Sequence, residues 1–262
     1  MSSTAEDGLR ILVCVKRVPA PGARIALTAD RNDIDTRNLG FTTSPHEECA
    51  VEEAIRLVEH HGGSSTVMTV GPPEADEQLR YALSVGAGGA VLVTTEGTDP
   101  DAQATAKVLV AAIEALEADG GPFDLILFGN ESADAGGFQV GIRTARALGR
   151  PVVNGIKAIE VAEGRVVARR ESPEGYEVYR LDLPAVLGVK EGLNLPRYPT
   201  LPGRLRSKKA DVPRQPALVV AGGLATLDFR LPSEQVTETT VLGDGPDAAA
   251  AVADLLQELG LL

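Results

Sequence analysis

The groups in this chain best suited to chemistry are main-chain donors in the stretch FDLILFGNESADAGGFQVG, Phe123–Gly141. The apolar run Phe123–Phe128 reads as a buried strand. It opens through Gly129, Asn130, Glu131, Ser132, Ala133, Asp134, Ala135, Gly136 and Gly137 onto an amphipathic helix around Phe138–Leu148. Glycines allow close approach of main-chain N–H groups, and a helix start carries partial positive charge, so this pattern suits a nucleotide phosphate. It equally suits a tight strand-to-helix connection with no ligand. Asp134 can cap its own loop or touch a ribose.

No set of side chains in the sequence looks catalytic. Ser132 follows Glu131 outside any nucleophile-elbow pattern, and no P-loop lysine is present. Cys14 and Cys49 match no metal spacing and lie among apolar neighbours, which reads as small buried hydrophobes in a reducing compartment. His60 and His61 precede Gly62 and Gly63, where a helix end favours cations, so they read as a solvated terminus rather than ligands. Neither a catalytic nor a metal-binding set is expected.

The elements that would position the glycine loop alternate along the chain. Ile11–Val18 reads as a strand, and Pro19–Thr43 as a turn-rich, hairpin-like excursion. Ser44-Pro45-His46-Glu47 is a capping box with proline in the first turn, followed by Val51, Ala54, Ile55 and Val58 on one helical face. Strand Ser65–Val70, helix Ala75–Val85, strand Ala90–Thr94 and a helix capped within Thr98–Asp101 come next. This order predicts an α/β fold with a mostly parallel, doubly wound, Rossmann-like sheet. Ligands then sit beyond the carboxyl ends of the strands, where the turns after Val18, Val70 and Phe128 converge.

Beyond Pro151 the texture changes to strands Ile156–Val161, Arg165–Arg170, Glu177–Leu183 and Ala185–Lys190. Glu191–Asp211 is proline-rich and then basic, and no regular element is expected there. A strand at Ala217–Val220, a turn at Gly222–Gly223 and a helix near Ala248–Leu259 complete the reading. The organisation is a nucleotide-binding domain over 1–211, with a distinctive loop near 189–211, and an arm over 212–262. The arm is too short for its own core and must pack back or reach a partner.

Within EGLNLPRYPTLPGRLRSKK, Leu195, Tyr198 and Leu201 are apolar groups on a stiffened segment, and Arg204, Arg206, Lys208 and Lys209 form a basic cluster. Rigid loops with apolar anchors recognise partners at little entropic cost. A surface loop with a solvated charge run explains the same residues, and composition favours it.

With 262 residues, 44% hydrophobic and 24% charged, the chain is of ordinary globular composition. A net charge of −12 disfavours nucleic acid as a partner. The start MSSTAEDGLR lacks a signal-peptide core and no run reaches membrane-span length, so a cytoplasmic address without direct membrane insertion is expected. Aromatic residues are only 3%, poor equipment for clasping a flavin ring unaided.

Taken together, LRILVCVKRVPAPGARI, SPHEECAVEEAIRLVE, LRYALSVGAGGAVLV, GNESADAGGFQVG and LPAVLGVKEGLNLPRYPTLPGRLRSKK resemble the β subunit of electron-transfer flavoproteins over nearly the whole chain. The last segment is the most specific. The resemblance implies a non-catalytic electron-carrier subunit paired with an α subunit that mainly holds a shared FAD. It implies electrons arriving from flavin dehydrogenases, such as acyl-CoA dehydrogenases of fatty acid oxidation, and leaving toward a membrane quinone reductase. It also implies one structural AMP, lined by Cys14, Ser44, Pro45, His46, Glu47, Val70 and the loop from Gly129 through Phe138, Gln139 and Val140.

By the same resemblance Leu201 is a docking anchor, with Tyr198, Arg204 and Arg206 beside it, and Glu171 restrains a mobile flavin domain through a partner arginine. Where the family loop often reads Asp-Gly-Asp-Thr-Ala-Gln, this chain has Asp134-Ala135-Gly136-Gly137-Phe138-Gln139, so phosphate contacts must come from the main chain. Ser44 and His46 replace the usual asparagine and an aromatic that lies toward the flavin. Two alternatives stay open: a bifurcating variant with a second FAD in place of AMP, and a free-standing adenine-nucleotide-binding regulator or nucleotide-using enzyme.

Overall fold

The structure, a computed structural model, describes residues 8–96, 100–218, 223–232 and 239–262. Strand β1 (Leu9–Val15) alternates its side chains so strictly that Leu12 and Cys14 enter one apolar layer and Ile11, Val13 and Val15 another. After the short antiparallel pair β2 (Val18–Pro19) and β3 (Phe41–Thr42), helix α1 (Pro45–His61) starts at the Ser44–Glu47 capping box and ends at Gly62. Then follow β4 (Gly63–Gly71), α2 (Asp76–Val85), β5 (Gly89–Thr94), α3 (Ala102–Gly120), β6 (Leu125–Gly129) and α4 (Val140–Ala147). Asp101 caps α3 by accepting from the Ala104 N–H at 2.7 Å; Thr98 and Asp99 lie outside the described residues.

Strands β7 (Val152–Ala162), β8 (Arg165–Ser172) and β9 (Gly175–Asp182) form an antiparallel meander before β10 (Ala185–Val189) returns to the centre. The nine-stranded sheet has the order β11-β5-β4-β1-β6-β10-β7-β8-β9, where β11 is Arg214–Pro216. Pairs among β5, β4, β1, β6 and β10 are all parallel. The residues of α1 and α2 pack on one face with Ile11, Val13, Leu125 and Leu187. Those of α3 and α4 pack on the other with Leu12, Met68, Ile126 and Val186. The fold is therefore the doubly wound α/β architecture expected. Chain order reverses about β1: β4 and β5 lie on one side of it, β6 and β10 on the other. A crevice at the carboxyl ends of β1 and β6 follows from that switch.

Two expectations are corrected. Glu191–Asp211 is not wholly irregular, because Leu201–Lys209 forms α5. Its start is conventional: the Thr200 hydroxyl accepts from the Gly203 N–H, and Pro202 lies in the first turn. Arg206, Lys208 and Lys209 occupy the last turn, where the helix dipole favours cations. The C-terminal strand is Arg214–Pro216 rather than one beginning at Ala217. It forms because β5 offers an unpaired edge, which Leu92 N and Ala217 N use with Pro213 O and Thr94 O. Val219, Val220 and Gly222 lie outside the described residues.

Described residues up to Phe229 form one compact unit and those from Arg230 a second, which contains α6 (Ala249–Glu258). No residue of α6 is buried; Val252 and Leu255 are exposed along it, as is Leu259 just past its end. Among the described residues no helix is long and apolar enough to cross a membrane.

Gly203 sets how closely α5 lies on α2, since a Cβ there would overlap the Ser84 carbonyl oxygen. Gly203→Ala is expected to cost about 1–3 kcal/mol by overpacking. An unchanged urea midpoint would contradict this close approach.

Candidate functional site

The crevice is built around one buried carboxyl group. Glu47 Oε1 accepts from the Lys16 main-chain N–H at 2.9 Å, just past β1, and Oε2 accepts from the Ser44 N–H at 2.9 Å. The Ser44 hydroxyl returns the capping bond by accepting from Glu47 N at 3.3 Å. Burial pushes Glu47 up to about 8, against the downward pull of these donors. At the end of β6, Gly129 leaves the space that Glu47 fills: a Cβ there would lie 2.7 Å from Glu47 Cγ. The ends of β1 and β6 and the start of α1 are thereby joined at one point.

The loop after β6 is fastened to that frame. Asn130 N donates to Val189 O at 2.7 Å and Gly136 N to Ser132 O at 3.0 Å. Asp134 does what a loop-fastening carboxylate does: Oδ1 accepts from Ala135 N at 2.7 Å, and Oδ2 meets Lys16 Nζ at 2.5 Å across the crevice. Burial opposes its charge, but the Lys16 ammonium and adjacent donors outweigh that and hold Asp134 below the usual carboxylate range. His46 Nδ1 accepts from Glu191 N at 2.7 Å, which leaves the proton of the neutral ring on Nε2, 3.5 Å from Glu131 Oε1. His46 thus braces the exit of β10 against the loop.

Cys14 is buried on the α3/α4 face, in register with Phe128 and Met68, and burial then Glu47 push its thiol far up, so it stays neutral. Val70 is half-buried at the end of the neighbouring β4. Pro45 and Ala133 through Gln139 are exposed, although the Asp134 side chain, folded against Lys16, keeps only about a quarter of its surface open, and Val140 begins α4. The α4 N-terminus has no side-chain cap, and a Cβ at Gly137 would meet only open space. Its first N–H groups and the open main chain at Gly137 can receive an anionic group, whereas the Gly136 N–H is already committed to Ser132 O. Among the described residues, no cluster of three or more His, Cys, Asp or Glu could hold a metal.

The other expected residues lie elsewhere. Leu201, Arg204 and Arg206 are on α5, which packs against α2, with Tyr198 just ahead of it; all four are exposed. Glu171 on β8 pairs with Lys157 Nζ of β7 at 2.8 Å. Lys16 escaped the sequence reading although it directly follows the first strand. So did Arg197, which joins Glu52 and Glu59 of α1.

A family model of the electron transfer flavoprotein domain matches residues 33–219. The chain belongs to the electron transfer flavoprotein family. It is 39% identical over 203 residues to the electron transfer flavoprotein subunit beta of Bacillus subtilis (strain 168), covering 77% of this chain and 76% of that one. It is 34% identical over 243 residues to the subunit beta of Syntrophomonas wolfei, covering 92% and 93%. For that of Mycobacterium tuberculosis (strain H37Rv) the figures are 33% over 208 residues, 77% of each chain. The chain is a β-type member, an electron-transfer subunit rather than a catalyst. The glycine loop and the 191–209 segment both fall inside the matched region.

Because Glu47 binds its proton more tightly when folded, stability falls as pH rises from about 4.5 to about 8 and levels off above. Glu47→Gln should remove most of that decline, on the order of a few kcal/mol, leaving the smaller share from Glu48 and Glu53, which burial also raises. Urea unfolding at several pH values checks this; an undiminished slope in the variant would refute it.

Proposed function

We propose that this chain pairs with an electron-transfer flavoprotein α subunit, holds one AMP as a structural ligand in the crevice, and shares an FAD that the α subunit mainly binds. The observation carrying this is the rim between β1 and β6, where the start of α4, free of any side-chain cap, and the open main chain at Gly137 offer donors to an anionic group. Cys14 and Val70 supply an apolar shelf on the same face of the sheet, and Gly129 through Val140 supply the phosphate wall. Lys16 adds a cation at the mouth and Asp134 fixes it there. These residues fit an adenosine phosphate.

FAD, when bound, supplies the redox chemistry; this chain supplies geometry. His46, Glu131 and Ser44 wall the side of the crevice nearest α1. Glu171 keeps its carboxylate half-exposed beside Lys157, so a partner guanidinium can share it and restrain the flavin domain. Leu201, with Tyr198, Arg204 and Arg206 around it, is the anchor for a flavin dehydrogenase such as an acyl-CoA dehydrogenase. The acceptor is a membrane quinone reductase, and the complex works in the cytoplasm without entering the bilayer. Residues 212–262 serve as an arm on the α subunit; the unburied apolar residues of α6 support this.

Denaturing the purified αβ complex should release AMP and FAD in equal amounts. Two FAD per complex and no AMP would mean that a second flavin occupies the crevice, and no nucleotide beyond one FAD would overturn this reading. Leu201→Ala should raise KM for a reduced acyl-CoA dehydrogenase about tenfold with the visible flavin spectrum intact, as expected for loss of a buried anchor. Unchanged KM removes its docking role.

A further inference from the structure

The segment Asn194–Leu201 inverts the usual placement of side chains. Leu195, Tyr198 and Leu201 are 87%, 89% and 71% exposed, while Asn194 and Arg197 of the same segment are fastened inward. Asn194 Nδ2 donates to Cys49 O at 3.0 Å and to Glu53 Oε2 at 2.9 Å. Arg197 donates from Nε to Glu52 Oε2 at 2.8 Å and from Nη2 to Glu52 Oε1 at 3.1 Å. Its Nη1 reaches Glu59 Oε1 at 2.7 Å and its Nη2 reaches Glu59 Oε2 at 3.0 Å. Even its main-chain N–H is used, on Glu52 Oε2 at 3.2 Å.

Cys49, Glu52, Glu53 and Glu59 follow one flank of α1, so a single rigid helix provides every acceptor. Glu52 is only 4% exposed, and a carboxylate so placed needs a permanent cation. Arg56 Nε lies 3.3 Å from Glu52 Oε1, and Arg197 adds a planar two-point fork that a lysine cannot reproduce. Pro196 stiffens the chain immediately before it. Pro196 and Arg197 themselves close one side of a small cleft whose other walls include Val15, Val51, Tyr81 and Val85, so the base of the tip is seated on α1 and α2 while Leu195, Tyr198 and Leu201 stay outside.

We propose that Arg197 is a positioning residue for partner capture: its grip on Glu52 and Glu59 holds the 195–201 tip outward in one conformation before any partner arrives. A tip ordered in advance loses less conformational freedom on binding, so the benefit falls on association rather than on events after docking. This rests on the docking role of Leu201 given above, yet the ordering itself is measurable without a donor.

The test uses the αβ complex carrying Arg197→Lys, Arg197→Ala, Glu59→Gln or Leu201→Ala. Hydrogen exchange over 191–201 should quicken at least tenfold in both Arg197 variants and less in Glu59→Gln, which keeps the Glu52 half of the grip; exchange across 62–71 should stay unchanged. With an acyl-CoA dehydrogenase reduced by butyryl-CoA as probe, KM should rise about tenfold in Arg197→Lys, with kcat and the flavin spectrum unchanged. Unaltered exchange in Arg197→Ala overturns the proposal, as does faster exchange with an unmoved KM when Leu201→Ala raises it. If Leu201→Ala also leaves KM unmoved, the docking reading has failed and the positioning role falls with it.

Discussion

A single buried carboxyl group, that of Glu47, holds the working end of this molecule together. It accepts one N–H from the exit of β1 and another from the cap of α1, and it fills the gap left by glycine at the end of β6. A carboxyl shut away from water must satisfy both oxygens within the protein, which makes its position intolerant of drift. The Lys16–Asp134 bridge and the His46 brace both spring from residues adjacent to this joint. The shape of the crevice rim is therefore set by polar satisfaction together with the space that Gly129 leaves for Glu47.

Helix α1 carries that order across the subunit. Its first turn forms one wall of the crevice, while its flank grips Asn194 and Arg197. Seventeen residues of one helix thus connect the crevice to the exposed apolar tip, and the spacing between them cannot vary without bending α1. Acidic side chains do this work at both places. An excess of carboxylates that at the level of composition speaks only of solubility includes several that are buried or clamped, with definite partners.

The capping box was legible in the sequence because its partners are three residues apart and obey a local rule, as were the alternating strands and the glycine that ends α1. Helix α5 was not, although Thr200, Pro202 and the basic last turn are ordinary helix signals. Its high proline and charge density lacks an apolar stripe, and what stabilises it is the fit of Gly203 against the Ser84 carbonyl on α2. The edge strand β11 was displaced for a similar reason: Arg214-Gln215-Pro216 has little strand character and pairs because β5 presents a free edge.

By itself the sequence determined the succession of strands and helices, the glycine-lined loop, and the family to which the chain belongs. Short-range rules of periodicity, capping and turn chemistry act within a few residues, so they survive without coordinates. Only tertiary structure decided which distant charges meet. Lys16 and Asp134 are 118 positions apart, and Glu52 and Arg197 are 145 apart. The first pair forms because the sheet places β6, not β5, beside β1, and the second because α5 and the segment before it fold back over α1 and α2. Nothing local to any of those four residues encodes their meeting.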